Sequence, residues 1–274
     1  MDFIELGRTG EKIPALGMGT WQVEANPEEG IQALRLGFEQ GMKLVDTAER
    51  HNNEEFVGKA IGDRRDIFVA TKVYQTHFSH DDVIKACEGS LSRLGVDKID
   101  LYQLHWPYDK QGPTPPRKET MGAMEELVSQ GKIRHIGVSN FSVKDLESAM
   151  SVMKENKIVS NQVEYSLMAR GIEDELLDFC KKEGITVIAY KPLGRGSISG
   201  DRSSALYKLL GDIGKGYGKT SVQVALNWVI SRGNICAIPK AGTREHVLEN
   251  AGAAGFKLSG GDLERLDSFR ALAR

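Results

Sequence analysis

The strongest constraint on this chain is an alternation. Short runs of β-branched and apolar residues are each followed by a longer segment with helical spacing of its apolar side chains, and the pattern recurs to the end of the chain. The runs are Ala15 to Gly19, Lys43 to Asp46, Ile67 to Lys72, Ile99 to His105, Ile133 to Ser139, Val159 to Val163, Thr186 to Tyr190 and Ile235 to Pro239. Strands joined through helices pair in parallel, and eight such units predict closure into an α/β fold of the (β/α)8 TIM-barrel type, not an open sheet. The intervening segments carry core-facing stripes, as in Val83, Ala86, Leu91 and Leu94, or Leu176, Leu177, Phe179 and Cys180. Phe3 to Leu6 and Lys12 to Pro14 flank the turn Gly7-Arg8-Thr9-Gly10, which predicts an N-terminal β-hairpin cap. Ser259 and Asp262 stand in capping-box spacing and predict an extra C-terminal helix to about Leu272, outside the barrel. With 274 residues and no linker or low-complexity run, one barrel domain over 1–274 is expected.

Composition excludes several other classes. Thirty-six basic against thirty-eight acidic residues are dispersed along the chain, so there is no basic stripe to follow a nucleic acid. The first residues show neither a basic leader nor an apolar core, and no apolar run approaches membrane-spanning length; a cytoplasmic protein is expected, monomeric by default. Cys87, Cys180 and Cys236 are scattered singly and read as small core residues, with no metal centre implied.

Active sites of such barrels lie at the carboxyl ends of the strands. There the successive runs end in Asp46-Thr47, Lys72, His105, Ser139-Asn140, Gln162, Tyr190 and Lys240. Any one of these alone reads as a capping or salt-bridging residue, but the set is coherent. Asp46 on a neighbouring strand can hold Lys72 as a fixed ammonium, and His105 can orient or protonate a carbonyl. Ser139, Asn140 and Gln162 offer groups suited to a planar carboxamide, with Tyr190 supplying an aromatic face. Two phosphate motifs are rejected. Gly17 to Gln22 lacks the third glycine of a dinucleotide fingerprint, and Gly214 to Thr220 has Ile213 where a P-loop needs its first glycine, so it reads as a turn between helices.

In order along the chain, Gly17-Met18-Gly19-Thr20-Trp21, Asp46-Thr47-Ala48-Glu49 leading to Asn53-Glu54, Leu101 to Pro107, Ile136 to Phe141, Asn161 to Tyr165, Ala189 to Gly194, Ile238-Pro239-Lys240 and Glu249-Asn250 resemble signatures of the aldo-keto reductase family. The resemblance covers nearly the whole chain. It implies NADPH-dependent reduction of a small aldehyde or ketone, with NADH as a possible substitute. Asp46, Lys72 and His105 then match three of the family's four catalytic residues. Ser139, Asn140 and Gln162 match the carboxamide contacts, Tyr190 the stacking aromatic, and Lys240 the partner of the NADP 2'-phosphate, with Glu249 and Asn250 near the adenine. Thr20, Trp21, Lys191, Pro192, Leu193, Arg244 and His246 complete the expected cofactor set. Trp21 also reads, with Trp106 and Tyr74, as an apolar wall for the substrate.

The fourth catalytic position departs from the pattern. The family's proton-donating tyrosine lies five residues after the aspartate, where this chain has His51. Imidazole titrates near ~6.5 and phenol near ~10, so the two are different acids. Three readings stand: lost function, slower catalysis with imidazole or a water as donor and faster at low pH, or a binding role. Ala241 stands where serine is frequent, and His246 where an arginine commonly meets the phosphate, with Arg244 able to compensate. Lys191 also replaces a serine; it reads either as a pyrophosphate ligand or as a solvated loop lysine. Rival functions are a cofactor-binding sensor with little turnover and a Schiff-base enzyme using Lys72, the latter disfavoured by Asp46 beside the amine.

Overall fold

The computed structural model describes residues 1–23, 26–108 and 114–269. Strands β1 (Phe3–Glu5) and β2 (Lys12–Pro14) form an antiparallel hairpin. Eight parallel strands follow: β3 (Met18–Gly19), β4 (Leu44–Asp46), β5 (Phe68–Val73), β6 (Ile99–Leu104), β7 (Ile133–Ser139), β8 (Ile158–Glu164), β9 (Thr186–Tyr190) and β10 (Ile235–Ile238). They lie side by side in sequence order, with helices in the connections, as the alternation requires.

The ring closes between β10 and the residues leading into β3. Gly17 donates its N–H to Ala237 O at 2.9 Å, Ala237 N–H returns to Ala15 O at 2.9 Å, and Gly19 bonds Pro239 O at 3.2 Å. The expected strand Ala15 to Gly19 is thus divided: only Met18–Gly19 forms a ladder with β4, while the preceding residues bridge to β10. Close approach at this seam explains its glycines. A Cβ on Gly17 would meet Leu44 Cδ2 at 2.7 Å, and one on Gly19 would meet Ile238 O at 2.8 Å. The glycines that fail as a phosphate loop serve to shut the barrel.

Leu6 and Ile13 of the hairpin pack with Leu44, Ala70, Leu101, Ile188, Cys236 and Ile238 of the barrel strands. The hairpin therefore plugs the end of the barrel opposite the expected site. Outside, helices such as His80–Leu94 and Ser221–Ile230 press Val83, Cys87, Leu94, Val224 and Trp228 onto the strands. Gly214 to Thr220 joins the helix Ala205–Lys215 to Ser221–Ile230, and Thr220 caps the second in a reciprocal box with Gln223. The C-terminal helix is Gly260–Ser268, capped by Ser259; its expected end at Leu272 lies outside the described residues, as do residues 109–113 of the loop from Tyr108 to Arg117. Among the described residues no helix is long and apolar enough to cross a membrane.

Candidate active site

Four strand ends build the floor of the mouth. Lys72, on β5, donates from Nζ to Asp46 Oδ1 at 2.6 Å and to Thr47 O at 2.8 Å, and both side chains of the ion pair are under 5% exposed. The other carboxylate oxygen accepts from Gln162 Nε2 at 2.7 Å and Gln103 Nε2 at 3.3 Å. A buried ion pair is tolerated when its remaining lone pairs and protons find partners, and here they do. Sequence reasoning missed Gln103, which is fully buried and paired in register with Lys72. Its signal was a polar residue two places before His105, on the same inward face as Leu101.

His51 comes from the connection after β4. A 3-10 turn, Glu49–His51, presents it and ends at Asn52 in the left-handed region (φ 55°), which asparagine tolerates better than most residues. Buried polar side chains hold this connection. Thr47 donates to Asn53 Oδ1 at 2.7 Å, Asn53 Nδ2 donates to Thr20 O at 2.7 Å, and Thr20 Oγ1 donates to Asp46 O at 2.9 Å. Glu54, 1% exposed, binds Thr71 Oγ1 at 2.6 Å and Arg93 at 2.6 Å. The Thr20 side chain is sealed against Asp46 and braces the site from within this network.

The rings at the mouth meet edge to face. His51 stands 4.7 Å from Trp21 and 5.7 Å from His105, and Tyr74 lies 6.0 Å from His105 (centroid distances). Trp21, 52% exposed, therefore screens the imidazole. Burial drives the His51 pKa down to about 2, with the Lys72 ammonium and then His105 adding to it. Burial, then Lys72, then Arg50 bring His105 to about 3. Both rings are neutral at physiological pH. The chief cause is loss of water around the ring, ahead of the lysine.

The expected nucleotide seat lies across β7 to β10. Ser139 Oγ donates to Gln162 O at 2.8 Å, and Asn140 Nδ2 donates to His105 O at 3.0 Å and Ser139 Oγ at 3.1 Å. Asn140 Oδ1 accepts from Tyr190 OH at 2.8 Å, and its backbone is left-handed (φ 63°). The Gln162 amide is drawn to Asp46. Tyr190 is half-buried, and burial first, then Glu164, pushes its phenol up to about 12. Lys191, with φ 50°, pairs with Glu164 at 3.2 Å and lies 5.0 Å from the Tyr190 ring centroid. Pro192 is buried and Leu193 partly so.

Lys240 is exposed beside the seam, bridged to Gly19. Arg244 and His246 are exposed on the first turn of the helix Arg244–Ala251, whose cap Thr243 accepts from His246 N–H. Glu249 instead accepts from Thr220 Oγ1 at 2.9 Å, and Asn250 is buried. Behind the 3-10 turn a separate hollow of about 470 Å3 is lined by Glu49, Arg50, Tyr74, His77 and Arg93 among others, with none of Lys72, His51 or His105 on its wall.

A closed parallel barrel thus carries an acid–amine pair, two imidazoles and an amide-and-tyrosine platform at one rim. The chain belongs to the aldo/keto reductase family, whose model matches residues 15–271. Methylglyoxal reductase YeaE of Escherichia coli is 39% identical over 93% of this chain and 90% of its own length. Among solved structures, the thermostable aldo-keto reductase Tm1743 in complex with the inhibitor epalrestat superposes with a TM-score of 0.89, at 41% identity over 98% of this chain and 99% of that one. The aldo/keto reductase of Klebsiella pneumoniae in complex with NADP and acetate gives 0.86, at 37% identity over 97% and 94%.

Proposed function

We propose that this chain is an NADP(H)-dependent oxidoreductase that reduces aldehyde or ketone carbonyls to alcohols, acting as a single domain over residues 1–274. The observation that carries the reading is the sealed Asp46–Lys72 pair set beside the two neutral imidazoles at the carboxyl end of the barrel.

The seat fits a nicotinamide dinucleotide by the chemistry of its donors. Tyr190 gives a partly open aromatic face, Ser139 and Asn140 give hydroxyl and amide groups, and Lys191, Lys240 and Arg244 give cations toward the rim for phosphates. Bound there, the reduced nicotinamide supplies a hydride. The chain's own groups bind and orient. Tyr190 supports the planar ring while its OH fixes Asn140, which orients the carboxamide. Lys191 exchanges Glu164 for the pyrophosphate, and Lys240, with Arg244 nearby, favours the extra phosphate of NADP over NAD. His246, Pro192 and Leu193 border the same seat. Asp46 anchors Lys72, whose charge polarises the mouth, and His105 meets the carbonyl oxygen. Trp21 covers His51 and excludes water, which strengthens every charge interaction beneath it.

The relative named for methylglyoxal suggests small reactive carbonyls as substrates. Quenching of protein fluorescence by NADPH, followed by loss of reduced-nicotinamide absorbance on adding methylglyoxal, tests the reading. Uptake followed by oxidation supports it, and no uptake overturns it. A second reading, a nucleotide-binding sensor with little turnover, is favoured by the absence of a ready proton on His51 near neutrality. Tight uptake without oxidation by any reactive aldehyde would select it.

A further inference from the structure

The turn that carries His51 holds three ionisable side chains in a row, Glu49, Arg50 and His51. Successive residues of a 3-10 turn point about 120° apart, so the three go separate ways. His51 goes to the mouth, against Trp21 and His105. Glu49 goes inward, where its carboxylate accepts from Tyr74 N–H and meets His77 Nδ1 at 3.1 Å. Arg50 is left on the outside, exposed, on the wall of the hollow of about 470 Å3.

That hollow is rich in charge, but its other charges are engaged. Glu49 is held by Tyr74 and His77, and Glu54 binds Thr71 Oγ1 at 2.6 Å and the Arg93 guanidinium at 2.6 Å. Glu55 lies exposed in the first turn of the helix Glu54–Ile61, where the helix dipole favours a carboxylate. The Arg50 guanidinium has neither an ion pair nor a hydrogen bond among the described residues. It lies over the Tyr74 ring, 5.4 Å from the centroid, which is a weak hold for an exposed cation. A guanidinium is a planar fork of N–H donors matched to a carboxylate or a phosphate, and here the fork is unused. Tyr74 links it to the chemistry, because the same ring stands edge-on to His105 at 6.0 Å. The Arg50 charge is felt there, third after burial and Lys72 among the causes that lower the His105 pKa.

We propose that Arg50 anchors the anionic end of the substrate: the carbonyl compound reduced at the mouth carries a carboxylate or phosphate, which binds Arg50 in this hollow while the carbonyl reaches past Tyr74. This deepens the carbonyl-reductase reading above and rests on it. The hollow has the size of a small-molecule site, with room for several carbons and a charged head. Asn52, on the same wall, can add an amide donor. Binding energy gathered at such a remote end holds the carbonyl in position at the reacting centre.

The test compares para-carboxybenzaldehyde and para-formylphenyl phosphate with the neutral methyl para-formylbenzoate, in the full chain with NADPH and in Arg50→Gln. The readout is the ratio of kcat/KM, anionic over neutral, within each protein, so that any change in the chemistry itself cancels. The ratio is expected to fall about fivefold or more in Arg50→Gln, mainly through KM, with Arg50→Lys keeping part of it. Salt at about 0.5 M should compress the same ratio in the unaltered chain. Arg50 is exposed, so its replacement costs the fold little. A fall for the carboxylate alone makes the substrate an oxo acid, and a fall for the phosphate alone makes it a phosphorylated carbonyl. A fall for neither overturns the proposal. Affinities of the same aldehydes for the NADP+ complex, read by protein fluorescence, give the answer without turnover. NADPH uptake separates the two levels: no uptake sinks the functional reading and the proposal with it, whereas uptake with unchanged ratios sinks the proposal alone.

Discussion

The floor of the mouth and its nucleotide rim are built on opposite principles. Asp46, Lys72, Gln103 and Gln162 are buried, short-ranged in contact and bonded to one another from four strands. Lys240, Arg244 and His246 are exposed and come from one connection. A floor of this kind makes geometry and stability inseparable. A rim of this kind makes affinity adjustable at no cost to the fold.

Breaking the floor should give the largest effect. Lys72→Met leaves the Asp46 carboxylate buried beside an apolar chain, and removing one partner of such a pair costs about 3–5 kcal/mol; urea denaturation should record that loss together with loss of turnover. Next, His51→Tyr, which restores a phenol beside Lys72, should raise carbonyl reduction by about 10²–10⁴-fold at saturating NADPH. An unchanged rate would show that residue 51 does not limit the chemistry.

The floor's neighbours should also make the fold acid-sensitive. The folded pKa values of His51 and His105 lie at about 2 and about 3, below the unfolded value, so the unfolded chain binds more protons throughout the interval. Stability is fully present above about pH 6.5 and falls as pH drops, by up to roughly 1.4 kcal/mol per pH unit for each ring. His51→Gln should remove one ring's share of that slope, read as the difference in urea midpoint between about pH 7 and about pH 5. At the rim, Lys240→Ala should weaken NADPH binding about tenfold, leave NADH binding nearly unchanged, and shift stability by no more than about 0.5 kcal/mol. Equal losses for both nucleotides would place the 2'-phosphate elsewhere.

The same contrast decides what the sequence disclosed. Eight strands were legible because each is an apolar run bounded by a periodic helix, a local signal. The seam was not, since Ala15 to Gly17 pair with a strand more than two hundred residues away and look like any short strand. Asp46, Lys72 and His105 stood out as polar ends of apolar runs, and the family resemblance supplied the roles proposed for them. Gln103 hid inside such a run, its partner fifty-seven residues distant. The bonds that Thr20 and Gln162 make to Asp46 were equally illegible, because a position in a motif says nothing of which way the side chain turns. The part of burial in lowering the His51 pKa was out of reach too, because burial is a property of the assembled mouth.

Rim and floor together should converge on one nucleotide and one carbonyl. A crystal structure with NADP+ tests it most directly. The nicotinamide is expected on the Tyr190 face, its carboxamide at Asn140, Lys191 moved off the ring, and the reactive carbon facing the gap between His51 and His105. A nucleotide bound elsewhere, or a Tyr190 face still covered by Lys191, would contradict it.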